Sequence, residues 1–186
     1  CDDREQRIDA TGSIVEAESG RNYRWAAGDA GEALGEHVQF TRHVVMPISA
    51  GGSGQMVVVL DEVRNPAAEP VTASWHAAGK VDLDKGGARA LIRGESADLY
   101  AAFACSSEME IAFDRRPLGP MESDRVITLN CTGAAELHLA SAFAPAEVGQ
   151  VRLEADGDGI AVIAGHLRLR FHRERGRLRF DSVAEG

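Results

Sequence analysis

A chain of 186 residues, 44% hydrophobic and 26% charged, holds enough apolar material for one folded core and too much for a disordered chain. Its formal charge of -9 excludes a general nucleic-acid binder, because neutralising phosphates requires a basic surface. Apolar runs such as Met56 to Leu60 are too short for a membrane span.

Cys1 to Arg7 is almost wholly polar, so residues 1–10 are expected to fray or to dock against something upstream. A start of Cys-Asp-Asp fits a mature lipoprotein lipidated on Cys1 or a segment of a longer protein, and the second is the expectation taken. From Gly12 onward apolar residues recur with period two and never hold the i, i+3, i+4, i+7 spacing of a long helix. Strands are expected over Gly12–Glu18, Asn22–Ala27, His37–Met46, Gln55–Val63 and Pro70–Ala77. Others follow over Ala88–Arg93, Asp98–Ala104, Met109–Phe113, Arg125–Cys131 and Ala135–Phe143, and near Val151, Ile160, Leu167 and Leu178.

The continuous apolar run Met56-Val57-Val58-Val59-Leu60 predicts a central strand covered on both faces, whereas His37 to Met46 alternates. Turn chemistry separates the strands at Ala50 to Gly54, Asn65-Pro66, Lys85-Gly86-Gly87, Asp114 to Gly119 and Asp156 to Gly159. Asp29 to Gly35 has room for one helical turn. Many short strands at regular spacing predict an all-β fold, an antiparallel β-sandwich of two packed sheets forming one domain over residues 1–186.

Six histidines, His37, His43, His76, His138, His166 and His172, form no HxH, HxxxH or HExxH motif. His37 and His43 share a strand face but lie about 20 Å apart along it, too far for one ion. No metal or other cofactor is expected in this chain. No serine sits in a nucleophile motif, and Gly51-Gly52-Ser53-Gly54 lacks the ending of a phosphate loop, reading instead as a hairpin tip. The acid pairs Asp82/Asp84 and Asp156/Asp158 read as solvated turn residues. Cys105 and Cys131 fall in apolar strands and are expected as buried thiols, with a disulfide as the lesser alternative.

The most suggestive local feature is the C-terminal hairpin. Alternation places His166, Arg168, Arg170 and His172 on one face with Leu167, Leu169 and Phe171 opposite, and Arg177 and Arg179 join the basic face from the returning strand. Such a stripe can bind the carboxylates or sulfates of an acidic polysaccharide through charge-assisted hydrogen bonds. The alternative is an edge hairpin blunted with charge.

Four segments in order carry a resemblance: Tyr23-Arg24-Trp25-Ala26-Ala27-Gly28-Asp29-Ala30, Phe40 to Pro47, Val57 to Val63, and Ser74-Trp75-His76-Ala77. Together with Leu137-His138-Leu139 and the closing hairpin, they resemble the C-terminal β-sandwich of the heparinase II/III-like polysaccharide lyases. The resemblance implies a bacterial, periplasmic or secreted protein whose parent reaction is β-elimination of a uronate-containing polysaccharide such as a glycosaminoglycan. In that family the catalytic Tyr and His lie mostly on an N-terminal α-helical toroid, and a zinc site often lies at the start of the sandwich. No catalytic or zinc residue transfers onto this chain. His76 is the one family-like position expected near a glycan groove.

Overall fold

The computed structural model describes residues 12–30, 37–48, 56–118 and 121–185, with side chains left out of the description for 116–124. Expectations for Cys1 to Arg7, for a helical turn after Asp29 and for the Gly51–Gly54 tip therefore lie outside the described residues. Among the described residues there are fifteen strands: β1 (Ser13–Ser19), β2 (Tyr23–Asp29), β3 (Gln39–Pro47), β4 (Val57–Arg64), β5 (Val71–Ala77), β6 (Lys80–Asp84), β7 (Arg89–Arg93) and β8 (Asp98–Cys105). They continue as β9 (Met109–Leu118), β10 (Met121–Cys131), β11 (Glu136–Ala144), β12 (Val151–Asp156), β13 (Gly159–Ala164), β14 (Leu167–Glu174) and β15 (Arg177–Glu185).

Every pairing is antiparallel, and the strands fall into three sheets rather than two. A central sheet runs β1-β2-β3-β4-β11-β8-β7-β6, a small sheet runs β5-β10-β9, and a C-terminal sheet runs β12-β13-β14-β15. Side-chain alternation on the central strands shows how they stack. Val58 and Leu60 of β4, Ala102 of β8, and Ala140 and Ala142 of β11 pack with Val162, Leu169, Phe171 and Phe180 of the C-terminal sheet. Their neighbours Val63, Ala101, Phe103, Leu137 and Leu139 point the other way, into a second cluster with Ile111, Ile127 and Leu129 of the small sheet. The central sheet is therefore the middle of three layers, and β4 is buried on both faces as its apolar run predicts.

Two turn assignments are corrected. Asp82 is not a turn acid but an outward residue of the edge strand β6, bonded to Arg93 at 2.7 Å, whereas Asp84 ends that strand, bonds Arg89 at 2.8 Å and accepts the Gly87 N–H of the following turn at 3.0 Å. The expected turn from Asp114 is instead strand, since β9 continues to Leu118. Asp156-Gly157-Asp158-Gly159 is a tight hairpin with Gly157 at φ 64°. At Gly159 a Cβ would fall 1.9 Å from the Phe171 carbonyl oxygen, so only glycine allows β14 to lie this close.

Candidate functional site

The β14–β15 hairpin presents the basic residues much as strand alternation dictates. Leu167, Leu169 and Phe171 are buried against the central sheet, and Arg168, Arg170 and His172 point outward. In register, Arg179 stands opposite His172 and Arg177 opposite Glu174. His166 is not on the strand but in the turn that precedes it.

Each of these four guanidiniums meets a carboxylate. Arg168 donates to Glu154 at 2.8 Å, and Arg170 lies 3.2 Å from Asp156. Arg177 lies 3.3 Å from Asp29, and Arg179 meets Glu16 at 2.5 Å and Glu174 at 3.2 Å. The acids on β12 reach β14 across β13, over Ala161, which stands opposite both Glu154 and Arg170 and is fully buried. The face is thus a lattice of alternating charge, with Arg170 and Arg177 keeping the most solvent, at 52% and 57% side-chain exposure. A groove of about 460 Å³ runs beside it, between Glu16, Trp25 and Thr41 of the first three strands and Arg175, Arg177 and Arg179 of the hairpin.

His76 belongs elsewhere. It is exposed on β5, opposite Val126 of β10, while its neighbour Trp75 turns inward and packs edge-on against Phe143. The small sheet and the C-terminal sheet cover opposite faces of the central sheet, so His76 and the hairpin arginines do not converge on one site. Arg42 is a basic group beside β5: it makes a bidentate pair with Asp61 at 2.7 and 2.8 Å and lies 5.0 Å from the Trp75 ring.

Beneath the hairpin lies a polar seam that strand patterning alone does not reveal. Glu62 of β4 stands opposite His138 of β11, and Arg64 opposite Glu136. Glu62, 3% exposed, accepts from Arg64 at 3.0 Å, from Arg173 at 3.3 Å and from the Leu178 backbone N–H at 3.1 Å. Arg173 also bonds Glu136, and Arg64 and Arg173 both donate to the Gly176 carbonyl at the hairpin tip. The His138 Nε2 lies 3.5 Å from Glu136, and burial lowers its pKa.

Glu62, Glu136 and His138 bring ligand atoms within 4.8 Å of one another, the spacing of a metal set. The donors do not fit one. Both Glu62 oxygens are engaged, and Arg173 already bridges the two carboxylates as their cation, so a divalent ion would have to displace a guanidinium. The sequence signal for this cluster was the pair Glu62 and His138 inside two apolar strands, where an unpaired polar group is costly.

His43 is another buried polar side chain in this region. It is fully buried, stacked parallel to Trp25 at 6.2 Å and edge-on to Phe171 at 5.4 Å, and neither ring nitrogen has a hydrogen-bond partner. Burial pushes its pKa down to about 4, so it is a neutral core ring at ordinary pH. Of the two tyrosines, Tyr23 donates to the Glu18 carboxylate at 2.5 Å and packs on Phe180, and Tyr100 lies half-buried on β8.

No protein-family model and no curated protein matches the chain. Solved structures do. The heparinase III-BT4657 gene product aligns at TM-score 0.63 and 10% identity, over 94% of this chain and 27% of that one. This chain has the fold of one part of a heparan sulfate lyase. The heparan sulfate lyase HepC from Pedobacter heparinus aligns at TM-score 0.63 and 8% identity, again over 94% of this chain and 28% of that one. The chain thus spans little more than a quarter of the length of the structures it matches.

Proposed function

We propose that this chain is the non-catalytic C-terminal β-sandwich of a heparinase II/III-like polysaccharide lyase, supporting an N-terminal catalytic α-toroid and contacting acidic glycan along its arginine-bearing edge. The observation that carries this reading is the asymmetry of coverage: 94% of this chain lies within a fold that fills only 27–28% of each lyase. The geometry supports the division of labour. In β-elimination a base removes the C5 proton of a uronate while another group neutralises its carboxylate. Among the described residues, His43 and His138 are buried, and Glu62 is held by Arg64 and Arg173. A periplasmic or secreted bacterial location belongs to the same proposal.

The test is spectroscopic. The isolated chain, incubated with heparan sulfate, heparin or alginate, should give no rise in the ultraviolet absorbance of unsaturated uronates. A rise given by the chain alone overturns the non-catalytic assignment.

A second reading, a free-standing module or lipoprotein that binds acidic glycan without cutting it, draws on the half-exposed Arg170 and Arg177 beside the groove. It calls for heparin affinity that weakens with salt and disappears in Arg168→Ala with Arg170→Ala. Full-strength binding by that double variant removes the hairpin from the glycan contact.

A further inference from the structure

The chain leaves the central sheet for the small sheet through residues 106–108 and returns through 132–135, so two crossings between layers share one corner. Cys105 ends β8 on one side of the corner, opposite Leu139 of β11. Cys131 ends β10 on the other side, opposite Met109, the first residue of β9. Hydrogen bonds fasten the two connections together. Thr132 N–H donates to the Glu108 carbonyl at 2.9 Å, Ser107 Oγ to the Thr132 carbonyl at 2.8 Å, and Ser106 N–H to the His138 carbonyl at 2.9 Å. Both cysteines belong to the cluster between the layers, and both are free thiols. The Cys105 Sγ lies 3.4 Å from the Ser107 Oγ, the same hydroxyl that bonds the carbonyl of Thr132 next to Cys131.

We propose that Cys105 and Cys131 form a redox-responsive pair that closes into a disulfide joining the central and small sheets when an oxidised low-molecular-weight or protein disulfide reaches the corner. The partly buried Cys105 is the entering nucleophile and the 2%-exposed Cys131 the resolving one. The Cys105 thiolate attacks one sulfur of the oxidant, whose S–S bond breaks and releases its first thiolate, leaving a mixed disulfide on Cys105. Cys131 gives its proton to that released thiolate, attacks the Cys105 sulfur and expels the second thiol, with the proton lost from Cys105 completing it. Two protein thiols are oxidised to one disulfide, and one oxidant disulfide is reduced to two thiols.

Local bonding favours this order. The neighbouring Cys131 thiol and then the Ser107 side chain favour the Cys105 thiolate and lower its pKa, while Cys105 and burial push Cys131 up. The closed bond would tie Cys105 to Cys131 across a loop that contains all of β9 and most of β10, a length at which a cross-link restricts the unfolded chain appreciably.

The experiment uses the chain with Cys1→Ser, so that only the two thiols remain, treated with oxidised glutathione and examined by non-reducing peptide mass spectrometry. The expected result is loss of both thiols, a mass lower by two hydrogens, a peptide linking Cys105 to Cys131, and a Tm raised by roughly 5–10 °C and restored by dithiothreitol. Two thiols still titratable in the treated folded protein, a glutathione adduct that persists on Cys105, or a disulfide-linked dimer overturns the proposal. Adding Cys105→Ser leaves the buried Cys131 in place and should abolish both linkage and the Tm rise. An equal rise in that variant also overturns it.

Discussion

The Arg42–Asp61 pair between the central and small sheets and the Arg168–Glu154 pair outside the C-terminal sheet have almost the same length, 2.7 and 2.8 Å. Their acids differ in solvent: the Asp61 side chain is 3% exposed and that of Glu154 is 42% exposed. Burial pushes the Asp61 carboxyl up and the Arg42 guanidinium pulls it back only in part, so Arg42 is the one neighbour that offsets a carboxyl taken from water. Glu154 keeps its hydration and loses little if Arg168 goes. Ion-pair distance therefore says little about which arginines are structural, and the exposure of the acid decides it. By that measure Arg42 is committed to holding two layers together, whereas Arg168 and Arg170 pair with acids that keep their solvent and can be given up at little cost.

The sharpest way to break this contrast is Arg42→Ala, which leaves Asp61 buried without its partner. Urea unfolding should show a loss of about 3–5 kcal/mol, and Arg42→Leu with Asp61→Leu should recover most of it. If the single variant loses less than about 1 kcal/mol, burial is not the deciding variable. A second test removes the partner charge from the question altogether. His43 has a folded-state pKa of about 4 against an ordinary value of 6.5, so between those limits the unfolded chain binds the extra proton. Its contribution is complete above pH 6.5 and falls by about 3 kcal/mol as pH drops to 4. His138, also lowered by burial, adds in the same direction. Urea midpoints measured across that range should fall with acid, with a shallower slope in His43→Leu. The smallest effect is expected from Arg168→Ala with Arg170→Ala: at most about 1 kcal/mol for each exposed pair, shrinking further in high salt, read as a Tm shift of a few degrees.

Much of the strand layout was legible because burial on a sheet writes itself into period two. Val57 to Leu60 announces a strand covered on both faces, and Thr41, His43 and Val45 announce the buried face of β3. β6 escaped because Lys80-Val81-Asp82-Leu83-Asp84 is short and its acids look like turn chemistry until Arg89 and Arg93 stand beside them. The third layer was not legible for a different reason. Alternation says that Trp75 and Ile127 face inward, but the pairing of β5 with β10 joins segments some fifty residues apart, and nothing local encodes that choice. The basic face of β14 could be read from Arg168-Leu169-Arg170, whereas its neutralising acids sit two strands away and become partners only once β13 intervenes. The seam under the hairpin shares that character: Glu62 is a lone acid in an apolar strand until long-range register brings His138 opposite and the returning hairpin supplies Arg173.

β4 serves two interiors at once, with Val58 and Leu60 in one and Val63 in the other. A wall shared by two rooms cannot be withdrawn from one alone, so a change of volume at either set of positions is felt in both. The three sheets should accordingly melt together in one transition rather than peel apart layer by layer.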